Sequence, residues 1–143
     1  MSQIAVAICL YCSRKGNAST MIKWLRILVV VNVVTMLMQA AFAGRMLGGD
    51  AHSANLHELT AKVLVWLGAT QVLFVILLGR TGRSPRWMLM LSVGVLGAEV
   101  LEFGLGHLHH VAIHVPLGLA IFGGAMRQTL WVLQQKGAKL QES

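Results

Sequence analysis

The chain is short of charge. Only 12% of its 143 residues are Asp, Glu, Lys or Arg, and five acidic residues stand against twelve basic ones. Together with 56% hydrophobic residues and a mean hydropathy of +0.68, this excludes an ordinary water-soluble domain, about a quarter of whose residues are charged. Cysteine is scarce too, and Cys9 and Cys12 sit together near the N-terminus, so no disulfide framework is implied. Two prolines, Pro85 and Pro116, leave long stretches open to helix. The net charge of +7 does not mark a nucleic-acid partner, because the basic residues fall at the ends of apolar runs rather than on an aromatic-interleaved surface. What remains is an integral membrane protein whose first partner is the lipid bilayer.

Residues 4–11 are apolar but too few to span, and no basic region precedes them as a secretory signal requires. Cys9 and Cys12 form a lone CxxC without a second pair. Residues 1–21 are therefore expected to be a disordered extension, and Met21 reads as a second natural start. From 27 to 44 eighteen residues carry no charge, preceded by Lys23, Trp24 and Arg26, which is the length and flanking chemistry of a spanning helix. The first span is placed at about 22–46, with Asn32, Thr35 and Gln39 on the stripe that faces its neighbours. A Gly48-Gly49-Asp50 loop leads to a second span, about 56–79, whose packed face runs His57, Thr60, Ala61, Leu64, Gly68, Gln71. The basic turn of residues 80–86 precedes a third span, about 86–106, with Glu99 and Glu102 on the stripe of Ser92, Val95 and Gly106. A fourth span covers about 108–133, followed by a polar tail, 134–143. Pro116 either kinks that last helix or marks its true start, and in the second case the face shared by His107, His110 and His114 need not form.

Ten of the twelve Lys and Arg fall at the end that holds the N-terminus, the 80–86 loop and the C-terminus; only Arg45 and Lys62 lie at the other. By the positive-inside rule both termini are cytoplasmic. All six histidines, with Asp50, Glu58, Glu99 and Glu102, then gather in the outer half of an all-α, four-helix transmembrane bundle. His52, His109 and Asp50 read as solvated loop residues. His57 and His114 differ, because each stands about one turn into a different span at matching depth, where an ionisable side chain is costly without a partner.

Three ligands suit such a convergence. Haem b takes one imidazole from each of two helices as axial ligands, with Arg45 or Lys62 near the propionates. A non-haem metal ion held by His and Glu is the second, and a quinone served by a His–carboxylate pair is the third. Over residues 22–133 the order of parts resembles one four-helix half of the haem A synthase and b-type membrane cytochrome group. The resemblance rests on Leu56-His57-Glu58-Leu59-Thr60-Ala61 and Ala112-Ile113-His114-Val115-Pro116-Leu117. Gln39-Ala40-Ala41-Phe42-Ala43-Gly44 is similar to the same region of small bacterial four-span membrane proteins.

The resemblance implies iron ligation by a histidine near the same end of each of two helices. It does not imply synthase activity, which needs a second such half. The expectation is therefore a haem b protein of the bacterial cytoplasmic membrane that carries electrons at its outer face, alone or as a subunit of a respiratory complex, rather than a stand-alone catalyst. Its axial ligands are His57 and His114, with His110 as substitute, and Glu58, Glu99, Glu102 and His107 support the site. The rivals are a non-catalytic accessory subunit with merely interfacial histidines, and a transporter, which the mainly apolar inner halves of the third and fourth spans disfavour.

Overall fold

A computed structural model describes residues 2–108 and 111–135, with side chains from Ser19 onward except that of Val111. Four helices account for almost all of it: α1 (Ser2–Leu47), α2 (Ala51–Arg80), α3 (Arg86–His107) and α4 (Val111–Gln134). The extension of residues 2–21 is continuous with α1.

Short connections set the helices side by side. Between α1 and α2, Gly49 takes a positive φ of 93°, which a side chain disfavours, and Asp50 then caps α2 by accepting from the backbone N–H groups of His52 and Ser53. Gly82 does the same for the α2–α3 turn with φ 75°, and Pro85 opens α3, where its missing N–H costs nothing. Each helix packs on the next and α1 packs on α4, which closes a ring. α2 and α4 therefore face each other across the diagonal.

The polarity of the molecule is inverted. Asn32, Gln71, Ser92 and Gln128 are all 2% exposed or less, whereas Trp66, Met90 and Leu119 are more than 70% exposed. Water would not support that distribution; a lipid environment does, since apolar side chains lose nothing against acyl chains and polar ones must find partners inside. α1 from Ser19, α2 and α3 are long and apolar enough to cross a membrane, and the protein is integral to one. α4 is of similar length and carries Pro116 as its sixth residue, so the helix begins before the proline and His114 lies on it.

Inside the ring the basic end is apolar, filled by Leu25, Val29, Val75, Leu78, Met88 and Val132. A second apolar cluster, Met36, Leu64, Val95, Ile121 and Ala125, lies further along. Between them all four helices are joined by one chain of side chains. Asn32 donates to Gln71 at 3.5 Å, Gln71 to Gln128, and Gln128 to Ser92 at 3.4 Å. In the halves of α3 and α4 nearer the basic end, Ser92, Gln128 and Thr129 all turn inward.

Candidate functional site

At the end of the bundle opposite the apolar plug, the second turn of α2 and the start of α4 bring His57 and His114 together. Their ring centres are 6.2 Å apart and their planes cross at 64°. The two residues singled out by depth therefore meet, across the diagonal of the bundle.

Each ring is held by a neighbouring helix. His57 Nδ1 lies 3.1 Å from the Gln39 carbonyl of α1, and a carbonyl only accepts, so the proton resides on Nδ1. Its Nε2 is left as an acceptor, which the Gln39 side-chain amide approaches at 3.4 Å. Gln39 also takes the Thr60 hydroxyl on its own amide oxygen, so one residue of α1 fixes two of α2. His114 Nδ1 lies 3.1 Å from Glu102 Oε1 of α3, off the line of a good hydrogen bond, and the two side chains are 24% and 17% exposed. Glycine makes the room: a Cβ on Gly118 would stand 3.1 Å from Glu102 Oε1, and one on Gly106 3.4 Å from His114 Cε1.

Glu99 lies one turn deeper on α3, 5% exposed, against Gly68. The structure thus brings His57, His114 and Glu102 together with Glu99 below them. The remaining candidates are engaged elsewhere. Arg45 does not reach Glu102, because the tight α1–α2 turn sets it on Asp50 at 2.7 Å. Glu58 pairs with Lys62, one turn on, also at 2.7 Å. His107 is exposed, with its ring 4.7 Å from that of Phe103 and its Nδ1 3.0 Å from the Phe103 carbonyl. His110 and His109 lie outside the described residues. Thr35, expected on the packed stripe, turns its hydroxyl back to the Val31 carbonyl of its own helix. Asp50, in the loop, is held well below the usual carboxylate range, to about 2, first by the Ser53 hydroxyl and then by Arg45 and the backbone N–H groups it caps.

No family model, curated protein or solved structure matches the chain. The chemistry must be read from the donor set itself. Among the described residues no group of three or more His, Cys, Asp or Glu converges as a ligand sphere for a bare metal ion. What converges is two imidazoles, each with Nδ1 turned towards a carbonyl or a carboxylate.

Sequence reading missed the anchoring role of Gln39 and the whole contribution of Gln128. Gln39 is signalled by its place on the Asn32 stripe, but a backbone carbonyl that orients an imidazole leaves no mark in the sequence. Gln128, a polar residue beside Arg127, reads as part of the basic end until the bundle closes around it.

Proposed function

We propose that the protein is a haem b-binding subunit or carrier for electrons in a bacterial cytoplasmic membrane. In this reading it is a four-span bundle with both termini inside and the histidine pair near the outer face. The observation that carries this is the pairing of His57 and His114 across the diagonal of the bundle, with His57 Nδ1 on the Gln39 carbonyl and His114 Nδ1 facing Glu102.

The imidazoles of His57 and His114 would hold the iron of a haem from two helices. Axial histidines bind through one nitrogen while the other is oriented by a carbonyl or carboxylate, and Gln39 and Glu102 stand where that support is needed. The Nε2 atoms of His57 and His114 are the atoms that would hold the iron. When bound, the haem supplies a reversible one-electron couple. The chain's own part is to orient the two rings and to place Glu102 beside one of them.

The test is to purify the protein in mild detergent and assay bound haem as its pyridine complex. About one haem b per chain is expected, falling to a small fraction in His57→Ala and in His114→Ala. Protein that carries no haem, and takes none up when haem is supplied, overturns the reading.

A further inference from the structure

Glu99 is a carboxyl side chain in the middle of the bundle with neither oxygen hydrogen-bonded among the described residues. It is tightly enclosed. A Cβ on Gly68 of α2 would collide with Oε2, a Leu96 methyl closes the same side, and Asn32 faces the carboxyl from α1. The Oδ1 of Asn32 is itself buried without a partner. The Asn32 amide is the donor turned towards the carboxyl, and it is shared with Gln71 at 3.5 Å, which is unfavourable for an ionised group out of water.

A single proton resolves this: it neutralises Glu99 and makes one of its oxygens a donor, for which Asn32 Oδ1 is an unfilled acceptor. A bare cation fits less well, because hard cations take about six or more oxygen ligands and the next turns of the helices offer Met36, Leu64 and Val95. No compensating charge faces Glu99. The described charges of α1, Lys23, Arg26 and Arg45, stand towards the ends of its apolar stretch, Ser19–Leu47, and those of α2 are His57, Glu58 and Lys62 at one end and Arg80 at the other. On α4, His114 lies against Glu102, the nearest carboxyl on Glu99's own helix, and Arg127 lies over the Trp87 ring at 5.0 Å.

We infer that Glu99 is a proton-binding site at the centre of the bundle that exchanges with the histidine end alone. Towards that end the next polar side chains, Glu102 and His114, are progressively more exposed. Towards the basic end, beyond the amide chain and the Thr129 hydroxyl, which is turned to the Ala125 and Val29 carbonyls, Leu25, Val29, Val75, Leu78, Met88 and Val132 are all at most 1% exposed and close the bundle. The result is a proton well with one mouth, which balances charge inside the membrane without leaking protons across it. It requires no cofactor and stands apart from the haem assignment.

Infrared difference spectroscopy on the full chain, reconstituted with known orientation in proton-tight vesicles, tests this. The wild type is expected to show the carbonyl stretch of a protonated carboxyl, absent in Glu99→Gln. Gly68→Ala, which keeps the acid but intrudes on it, shifts the band and carries the assignment should Glu99→Gln fail to accumulate. A pH step or deuterium oxide on the histidine side alters the band; the same step on the basic side does not. Spectra identical in wild type and both variants at every pH overturn the inference, as does a band that answers from the basic side or a carboxylate that responds to sodium instead of protons.

Discussion

Gln39 shows how much one residue does at this site. Its carbonyl sets the tautomer of His57, its amide approaches Nε2 of the same ring, and its side-chain oxygen takes Thr60. Glu102 has the corresponding place beside His114, and Glu102→Gln removes an ionisable carboxyl next to an imidazole without emptying its space. If the pair ligates haem, that variant retains the pigment and raises its midpoint potential, because the oxidised, more positive iron loses the nearby carboxylate. Redox titration of wild type and variant measures the shift; an unchanged potential removes Glu102 from the site.

Asp50 makes a prediction of a different kind. Its pKa is depressed in the folded protein, so its capping contribution is complete above the ordinary carboxylate value of about 4 and is lost as pH falls towards its own value of about 2. Asp50→Asn therefore flattens the acid limb of the thermal-unfolding midpoint over that window, while leaving the midpoint at neutral pH lower than that of the wild type because the Arg45 pair is gone.

At the scale of the element, helix contacts are decided by glycine. An added Cβ on Gly124 would stand 2.7 Å from a Val95 methyl of α3, whereas one on neighbouring Gly123 meets nothing within 4 Å. A valine methyl is fixed by its branched Cβ, so the helices rather than the side chain must move. Gly124→Ala is expected to destabilise the α3–α4 contact by roughly 1–3 kcal/mol and Gly123→Ala by almost nothing. Unfolding both variants in mixed micelles separates them, and equal stability contradicts the packing described.

The packed faces were legible because helical period and polarity agree. Leu64, Gly68 and Gln71 on α2, and Ser92, Val95 and Glu99 on α3, fall on the stripes the sequence marks, and all six are buried. The Arg45–Asp50 pair was not legible, because it depends on the geometry of a three-residue turn, which residue spacing does not encode. The Gln71–Gln128 link was hidden for a related reason: it joins helices that are diagonal in the ring, and their relative heights are set by the loops.

For the molecule as a whole, the inverted distribution of polarity is the main physical fact. Amides and hydroxyls occupy the centre, and Trp66, Met90, Leu101 and Leu119 face outward. Within that arrangement Trp87 and Trp131 pack edge to face at 5.9 Å with Arg127 over the first, at the end that also holds Arg26 and Arg80. Aromatic and basic residues together are characteristic of a membrane–water boundary, and the proposed topology, by the positive-inside rule, puts this end on the cytoplasmic side. Reporter fusions at the C-terminus are expected to be active with a cytoplasmic fluorescent protein and inactive with an exported phosphatase. The opposite pattern reverses the topology and puts the histidine pair at the inner face.

The central claim is that His57 and His114 together ligate one haem. Its most direct measurement is the optical spectrum of the purified protein, oxidised and dithionite-reduced, alongside His57→Ala and His114→Ala. The account predicts a low-spin, six-coordinate spectrum whose Soret band shifts and sharpens on reduction, and its loss or conversion to a high-spin form in each single variant. A colourless wild type, or a haem spectrum that both variants leave unaltered, contradicts it.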